Sequence, residues 1–153
     1  MNNYLPTDYQ SFIHTSRYAR WLDEEGRRET WGETVGRYVS NIVAPVIEDT
    51  AVQNEISEAI TGLEVMPSMR SMMTAGVAAA RDNTCMYNCS YLVIDDPKAF
   101  DEAMFILLCG TGVGFSCERQ YIKSLPEVPE TLYDSDTTIV VKDSKEGWAK
   151  AYR

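Results

Sequence analysis

The feature that most constrains the fold is a strand, helix, strand pattern in residues 85–117. Residues 85–94 alternate without a strongly polar face, which is typical of a strand covered on both faces in a parallel sheet. Residues 95–97 (DDP) are a helix-start signal, and Gly110 begins a glycine-rich turn before a second apolar run at residues 113–117. Because such a unit joins parallel strands by a right-handed crossover, the sequence predicts an α/β fold.

The helix between these strands is predicted to bury one face. Its apolar residues recur at three- and four-residue steps, the spacing of a single stripe on an α-helix. The predicted stripe consists of Ala99, Phe100, Ala103, Met104, Leu107 and Leu108.

Residues 1–65 have a helical pattern and form the first predicted region. Apolar spacing predicts helices over residues 9–21 and 29–43, and a third that Thr50 caps and Gly62 ends. Residues 66–153 form the second predicted region.

The second region begins with a methionine-rich segment, residues 66–76, which is predicted to be irregular or a short helix near a packed surface, where methionines fill gaps in the core. A loop is predicted over residues 119–141, with a short strand at its end, residues 138–141. A last helix follows Asp143 and Ser144, and no glycine or proline closes it before Arg153. The chain is therefore expected to stop inside a helix, with the fold unfinished.

Composition limits the possible partners and the location of the chain. The 153 residues are 44% hydrophobic and carry a net charge of −9, which argues against nucleic-acid binding because phosphate contacts require clustered Lys and Arg. No apolar run approaches the roughly 20 residues that span a bilayer, and residues 1–10 lack a secretion signal. We therefore expect a cytoplasmic protein without a membrane partner.

The four cysteines lack the paired spacing of a zinc site, so no metal site is predicted, and buried thiols or redox chemistry remain. A cysteine on a buried strand, such as Cys89, is most often a small apolar residue. Its neighbours Asn88 and Ser90 are polar, which a purely apolar strand would not require. Cys85, if on the same strand, would lie about 13 Å from Cys89, too far for a disulfide.

Two other features have simple structural interpretations. Residues 110–114 (GTGVG) follow a helix and precede a strand, which is the reverse of a dinucleotide-binding motif and favours a tight turn over a ligand cradle. His14, the single histidine, is predicted to be a surface residue of a helix.

Five segments together resemble the ribonucleotide reductase family, in the order in which that family has them. Residues 27–31 (RRETW) resemble its helical N-terminal region, and residues 66–70 (MPSMR) its Pro-x-x-Arg segment. Residues 88–91 (NCSY) are similar to its Asn-Cys strand. Residues 110–116 (GTGVGFS) and 141–148 (VKDSKEGW) are most similar to the adenosylcobalamin-dependent, class II triphosphate reductases.

The resemblance implies the first strands of a ten-stranded α/β barrel, incomplete in this chain. It also implies thiyl-radical chemistry with adenosylcobalamin in the complete enzyme, in which two cysteines reduce the ribonucleotide substrate and a thioredoxin-type dithiol resets them. Cys89 matches one cysteine of this reducing pair. The residues expected to contact substrate are Ser68, Asn88, Gly110, Gly112 and Gly114.

The same resemblance implies a deoxynucleotide effector site on the predicted helix and the loop that follows it. The expected effector residues are Asp96, Phe100, Lys142 and Asp143. Two positions depart from the family pattern, since Thr111 replaces a glycine and Lys145 an arginine.

The thiyl cysteine and the second reducing cysteine would lie outside this chain, so the resemblance implies an inactive fragment, or one half of a split enzyme completed by a C-terminal reductase chain. The alternatives are a catalytically silent assembly or effector-binding subunit, a di-iron-class fragment, and an unrelated thiol-redox or metal module. Diphosphate and triphosphate substrates both agree with these motifs.

Overall fold

A computed structural model describes residues 5–153. The chain divides into two compact units, Met1–Met86 and Tyr87–Arg153. This division falls about twenty residues after the change of sequence pattern at residues 65 and 66, because the methionine-rich segment packs with the helices before it. Residues 1–4 of the first predicted region lie outside the described residues.

The first unit begins with α1 (Asp8–Ile13), whose N-terminus is capped by the Thr7 hydroxyl. The helix continues as a π-helical turn, His14–Tyr18, and ends before Trp21. The predicted helix is therefore too long at its end. A two-residue antiparallel hairpin follows, β1 (Trp21–Leu22) and β2 (Arg27–Arg28), which is too short to leave a periodic sequence signal.

Two longer helices follow close to their predicted positions. A capping box of Thr30 and Glu33 begins α2 (Trp31–Tyr38), which continues as a π-helical turn, Val39–Val43. Asp49 caps α3 (Thr50–Thr61) by accepting a hydrogen bond from a backbone amide, so the predicted cap is displaced by one residue. Gly62 ends α3 as predicted.

The core of the first unit consists of Trp31, Val35, Ile60 and Met72, each at most 3% exposed. Met72 belongs to α4 (Met69–Thr74), which precedes α5 (Val77–Arg81) and a 3-10 turn, Asn83–Met86. The methionine-rich segment thus forms a short helix, and one of its methionines fills the core.

The second unit contains the predicted strand, helix, strand pattern. β3 (Cys89–Val93) and β4 (Gly112–Ser116) pair in parallel, and α6 (Lys98–Leu108) connects them. β3 begins at Cys89, since residues 83–86 form the 3-10 turn. Cys85 is therefore not on the strand, contrary to prediction.

The prediction that the strands and the apolar stripe of the helix in this unit are buried is wrong. Of the predicted stripe only Ala99 is buried, and Phe100, Leu107 and Leu108 are about half exposed. Tyr91 on β3 and Phe115 on β4 are 66% and 63% exposed, so the strands are not covered on both faces. Within the described residues, α6 lies along a sheet of two strands only.

After β4 the chain forms α7 (Arg119–Ile122) and then an irregular segment, as the predicted loop requires. The predicted strand over residues 138–141 is absent from this described segment, where Val140 is 90% exposed. The last helix, α8 (Lys145–Tyr152), begins with Ser144 as its cap and packs against α6. A Cβ at Gly147 would overlap the Lys142 carbonyl oxygen, so this turn requires glycine.

The α/β class is confirmed by the parallel strand pair with its connecting helix. None of the helices within residues 5–153 is long and apolar enough to cross a lipid bilayer.

Candidate functional site

Cys89 lies at the start of β3 with an exposed side chain. Its Cα pairs with that of Gly112 in the parallel ladder, which brings the cysteine beside the glycine-rich turn. None of the four cysteines of the described residues is in a disulfide bond. An exposed thiol is accessible to thiol–disulfide exchange.

The turn before β4 is held to the start of β3 by several hydrogen bonds. The Gly112 amide donates to the Asn88 carbonyl at 2.9 Å, and the Ser90 hydroxyl donates to the Gly112 carbonyl at 3.1 Å. Gly110 has a φ of 82°, which favours glycine at that position. The structure thus brings together four predicted residues, Asn88, Cys89, Gly110 and Gly112.

Thr111, at which the sequence departs from the family pattern, is 1% exposed. Its hydroxyl donates a hydrogen bond to the Tyr87 carbonyl at 2.9 Å. The threonine therefore anchors the turn, and it fills a space that a glycine would leave empty.

Gly112 and Gly114 have space beside them. A Cβ at Gly112 would lie 3.5 Å from the Asn88 carbonyl oxygen, and one at Gly114 would lie 3.6 Å from the Tyr91 ring, both ordinary contacts. Packing within the described residues does not require glycine at either position. Bare backbone here would allow a ligand to approach closely.

Ser68 lies in the first unit, at the N-cap position of α4, with an exposed side chain. Two arginines hold the other end of this short helix. Arg37 Nη1 donates to the carbonyls of Met72 at 2.7 Å and Ala75 at 3.0 Å, and Arg20 Nη2 donates to the Met73 carbonyl at 3.3 Å. These bonds satisfy carbonyls that have no partner within the helix and fix the helix that carries Ser68.

A buried carboxylate organises these arginines. Both oxygens of Glu29 accept hydrogen bonds from Arg37, at 2.7 and 2.9 Å. Burial by itself would raise the pKa of Glu29, but the bonds from Arg37, the Arg20 amide and the Thr34 hydroxyl lower it below its ordinary value. Glu29 therefore remains ionised inside the first unit.

The prediction that His14 lies on the surface is wrong, because it is 2% exposed. The Thr34 hydroxyl donates to Glu29 at 3.0 Å, so it accepts from His14 Nε2 at 2.9 Å, and Nδ1 has no hydrogen-bond partner. Burial lowers the pKa of His14, Glu29 raises it and Arg37 lowers it further, with a net decrease. The imidazole is neutral and packs edge-on against Trp31.

The four predicted effector residues lie near the two ends of the α6 and α8 pair. Asp96 accepts a hydrogen bond from the Lys98 amide at 2.8 Å and so begins α6. Asp143 accepts from the Trp148 indole at 3.4 Å, and Lys142 is exposed. Phe100 and Tyr152 line a cavity of about 420 Å³, to which Asp96, Lys142 and Asp143 do not contribute. The structure thus does not gather these four residues into one pocket.

Sequence reasoning missed the His14, Thr34, Glu29 and Arg37 network entirely. His14 lies at least 15 positions before the other three members, and the hairpin and the π-helical turn between them bring it to the others. The one available signal was a charged residue, Arg37, next to the apolar stripe of α2. Within residues 5–153 no group of three or more His, Cys, Asp or Glu residues has the arrangement of a metal site.

The fold has a match among solved structures. A crystal structure of a B12-dependent, class II ribonucleotide reductase superposes on 92% of this chain with a TM-score of 0.68. The two sequences are 23% identical, and the match covers 28% of that protein. The described residues therefore have the fold of part of a class II ribonucleotide reductase.

Related sequences carry a more specific name. Adenosylcobalamin-dependent ribonucleoside-triphosphate reductases of Lactobacillus delbrueckii subsp. bulgaricus, Lactobacillus leichmannii and Levilactobacillus brevis are each 27% identical to this chain over 86% of its length. These matches confirm the resemblance inferred from the five sequence segments. The chain spans about 22% of the length of these relatives. No protein-family model matches the chain.

Proposed function

We propose that this chain is the N-terminal part of an adenosylcobalamin-dependent ribonucleoside-triphosphate reductase and supplies one thiol of its reducing pair. The observation that carries the proposal is the position of Cys89, which is exposed at the start of β3 and paired with Gly112. The motifs around both residues are the ones that resemble the reductases.

Cys89 acts in the reduction step as one of two electron donors. Loss of the 2′-hydroxyl of the ribonucleotide as water requires two electrons and two protons, which two thiols supply as they become a disulfide. The second thiol comes from a part of the enzyme outside this chain. A thioredoxin-type dithiol then reduces the disulfide by exchange.

The substrate is proposed to lie against the glycine-rich turn. Gly110, Gly112 and Gly114 let the nucleotide approach the backbone beside Cys89, and Asn88 offers a polar side chain. In the complete enzyme, β3 and β4 are the first strands of a ten-stranded barrel. A deoxynucleotide effector would bind at one end of the α6 and α8 pair, near Asp96 and Phe100 or near Lys142 and Asp143.

The exposed apolar surface of the second unit supports the proposal that further polypeptide covers it. Phe100, Leu107, Leu108 and Phe115 are each more than 45% exposed, and parallel sheets are normally covered on both faces. A C-terminal reductase chain, continuous or separate, would complete the barrel, and the chain alone would be inactive.

The described residues do not by themselves fit adenosylcobalamin. His14, the only histidine, is buried and hydrogen-bonded through Nε2, so it is not available to cobalt. The cavities beside α6 are shallow, with volumes of about 420 and 670 Å³, and the larger has a mixed lining of acidic, basic and apolar side chains, including Glu146, Arg153 and Phe105. In the complete enzyme the cofactor would generate the radical that starts the reaction, and this chain's residues would act on the substrate afterwards.

A chimera tests the proposal. Residues 5–153 would replace the matching segment of the Lactobacillus leichmannii reductase, and deoxynucleotide formation would be measured with adenosylcobalamin and a dithiol. We expect turnover, and we expect Cys89→Ser to reduce multiple turnover by roughly 100-fold or more, because one electron donor is removed.

The matched control is Cys117→Ser, since Cys117 is also exposed and lies just after β4. It should leave turnover within about twofold of the parent chimera. Equal turnover in Cys89→Ser and the parent would contradict the assignment of Cys89 and favour a catalytically silent subunit.

A further inference from the structure

A cysteine and a lysine that the proposed reductase chemistry does not use lie in contact in the second unit. Cys109 is the C-cap residue of α6, and Lys145 is the first residue of α8. Lys145 Nζ donates a hydrogen bond to Cys109 Sγ at 3.1 Å. The two residues are 36 positions apart in the sequence, so the fold brings them into contact.

The surroundings hold the lysine in this position. Its Nζ also lies 4.8 Å from the centre of the Phe105 ring, one turn before Cys109 on α6. Ser144 caps α8 by accepting a hydrogen bond from the Gly147 amide, which fixes the backbone from which Lys145 extends. Cys109 and Lys145 are both partly exposed, so a small oxidant can reach the sulfur.

We propose that Cys109 and Lys145 form a reversible sulfenamide cross-link when the protein meets a peroxide. The peroxide first oxidises the thiol, RSH + H2O2 → RSOH + H2O. The Lys145 ammonium loses a proton to solvent, and its neutral amine then attacks the sulfenyl sulfur, with the overall balance RSOH + H3N⁺R′ → RS–NHR′ + H2O + H⁺. An S–N bond forms, the S–O bond breaks, and the hydroxyl leaves as water.

The lysine is suited to capture the sulfenic acid. Its amine already touches the sulfur, and its flexible four-carbon chain lets Nζ approach to bonding distance without movement of α8. Capture at this stage prevents further oxidation to sulfinic acid, which is irreversible by thiols. A thiol such as dithiothreitol attacks the sulfenamide sulfur and releases the amine, so the cross-link is reset by the same type of reductant that reduces disulfides.

The cross-link would fix the C-terminus of α6 to the N-terminus of α8 and close the loop between them. This inference uses only the geometry of the second unit and holds whether or not the chain is part of a reductase.

Mass spectrometry of the 153-residue chain tests the inference. After treatment with a small excess of hydrogen peroxide and alkylation of the remaining thiols, the intact mass should fall by about 2 Da at the cross-link, and dithiothreitol should reverse the change. Tryptic digestion should give a Cys109 peptide joined to a peptide in which cleavage after Lys145 is blocked.

Two variants distinguish this cross-link from other oxidation. Lys145→Arg keeps the positive charge but removes the nucleophilic amine, so the cross-link should disappear and Cys109 should react instead with a sulfenic-acid probe such as dimedone. Cys117→Ser should still form the cross-link. Two results in the chain without substitutions would overturn the inference. One is a disulfide between Cys109 and another cysteine, and the other is dimedone-labelled Cys109 together with normal tryptic cleavage after Lys145.

Discussion

The two units of this chain differ in how completely their apolar side chains are covered by other residues. The first unit has a closed core around Trp31 and Met72, and its buried charges are paired through Glu29 and Arg37. The second unit has a two-stranded parallel sheet whose aromatic residues, Tyr91 and Phe115, are mostly exposed. The two regions are similarly rich in apolar residues. Only in the first, however, do the described residues form a closed core around them.

This difference separates residues that stabilise a local core from residues that no other described element covers. The helices of the first unit bury their stripes against one another and tie α4 in place through arginine bonds to backbone carbonyls. The parallel strands of the second unit bring Cys89 and the glycine-rich turn together, but within the described residues they lack the layers that normally cover such strands. Substitutions should therefore affect stability strongly in the first unit and weakly on the sheet of the second.

The largest effect is expected for Arg37→Ala. The substitution leaves the Glu29 carboxylate, with a side chain 6% exposed, without its ion-pair partner. Breaking such a buried pair costs about 3–5 kcal/mol. Urea unfolding followed by circular dichroism would measure the loss.

Arg27→Ala is the matched control, because Arg27 also binds a glutamate, Glu33, through two hydrogen bonds, but with its side chain 40% exposed. Its effect should be a small fraction of that of Arg37→Ala, since exposed pairs contribute little. Equal losses of unfolding free energy for the two variants would contradict the central role of the Glu29 network.

A somewhat smaller effect is expected for Met72→Ala, which opens a cavity in the core of the first unit. Met72 is fully buried, and truncation of a buried methionine costs about 2–5 kcal/mol. Phe115→Ala removes a larger side chain from β4, but it is 63% exposed and should cost less than about 0.5 kcal/mol. Comparable shifts in the urea midpoint would show that β4 is covered in solution, and the contrast between the units would fail.

Local patterns predicted the elements that depend on neighbouring residues. The capped helix at residues 50–61, the cap at Ser144 and the order of β3, α6 and β4 follow from caps, glycines and apolar period within a few turns of chain. The prediction of a strand over residues 138–141 was wrong for the opposite reason. A strand requires a partner, and this segment has none within the described residues.

The candidate site could be predicted in part. The resemblance supplied Cys89 and the glycine-rich turn, which the register then paired. It did not supply the burial of Thr111 or of His14, because burial depends on tertiary contacts between segments that are distant in sequence. The exposure of Phe100 and Leu107 was missed for the same reason, since an amphipathic stripe shows which face is apolar but not whether another element covers it.

The smallest expected effect concerns pH and sharpens the account of the first unit. The folded pKa of His14 lies below the unfolded value of 6.5, chiefly because of burial, so the unfolded chain binds more protons in this range. The contribution is fully present above pH 6.5 and is lost as the pH falls through the folded pKa. Because His14 is the single histidine, no other imidazole titrates in this window.

In His14→Gln, the unfolding free energy measured by urea titration between pH 7.5 and 5.5 should depend less on pH. Both proteins should lose stability below about pH 4.5 as Glu29 becomes protonated. An unchanged slope in His14→Gln would mean that the imidazole is accessible to protons in the folded state, and that the core of the first unit is more open than its buried network indicates.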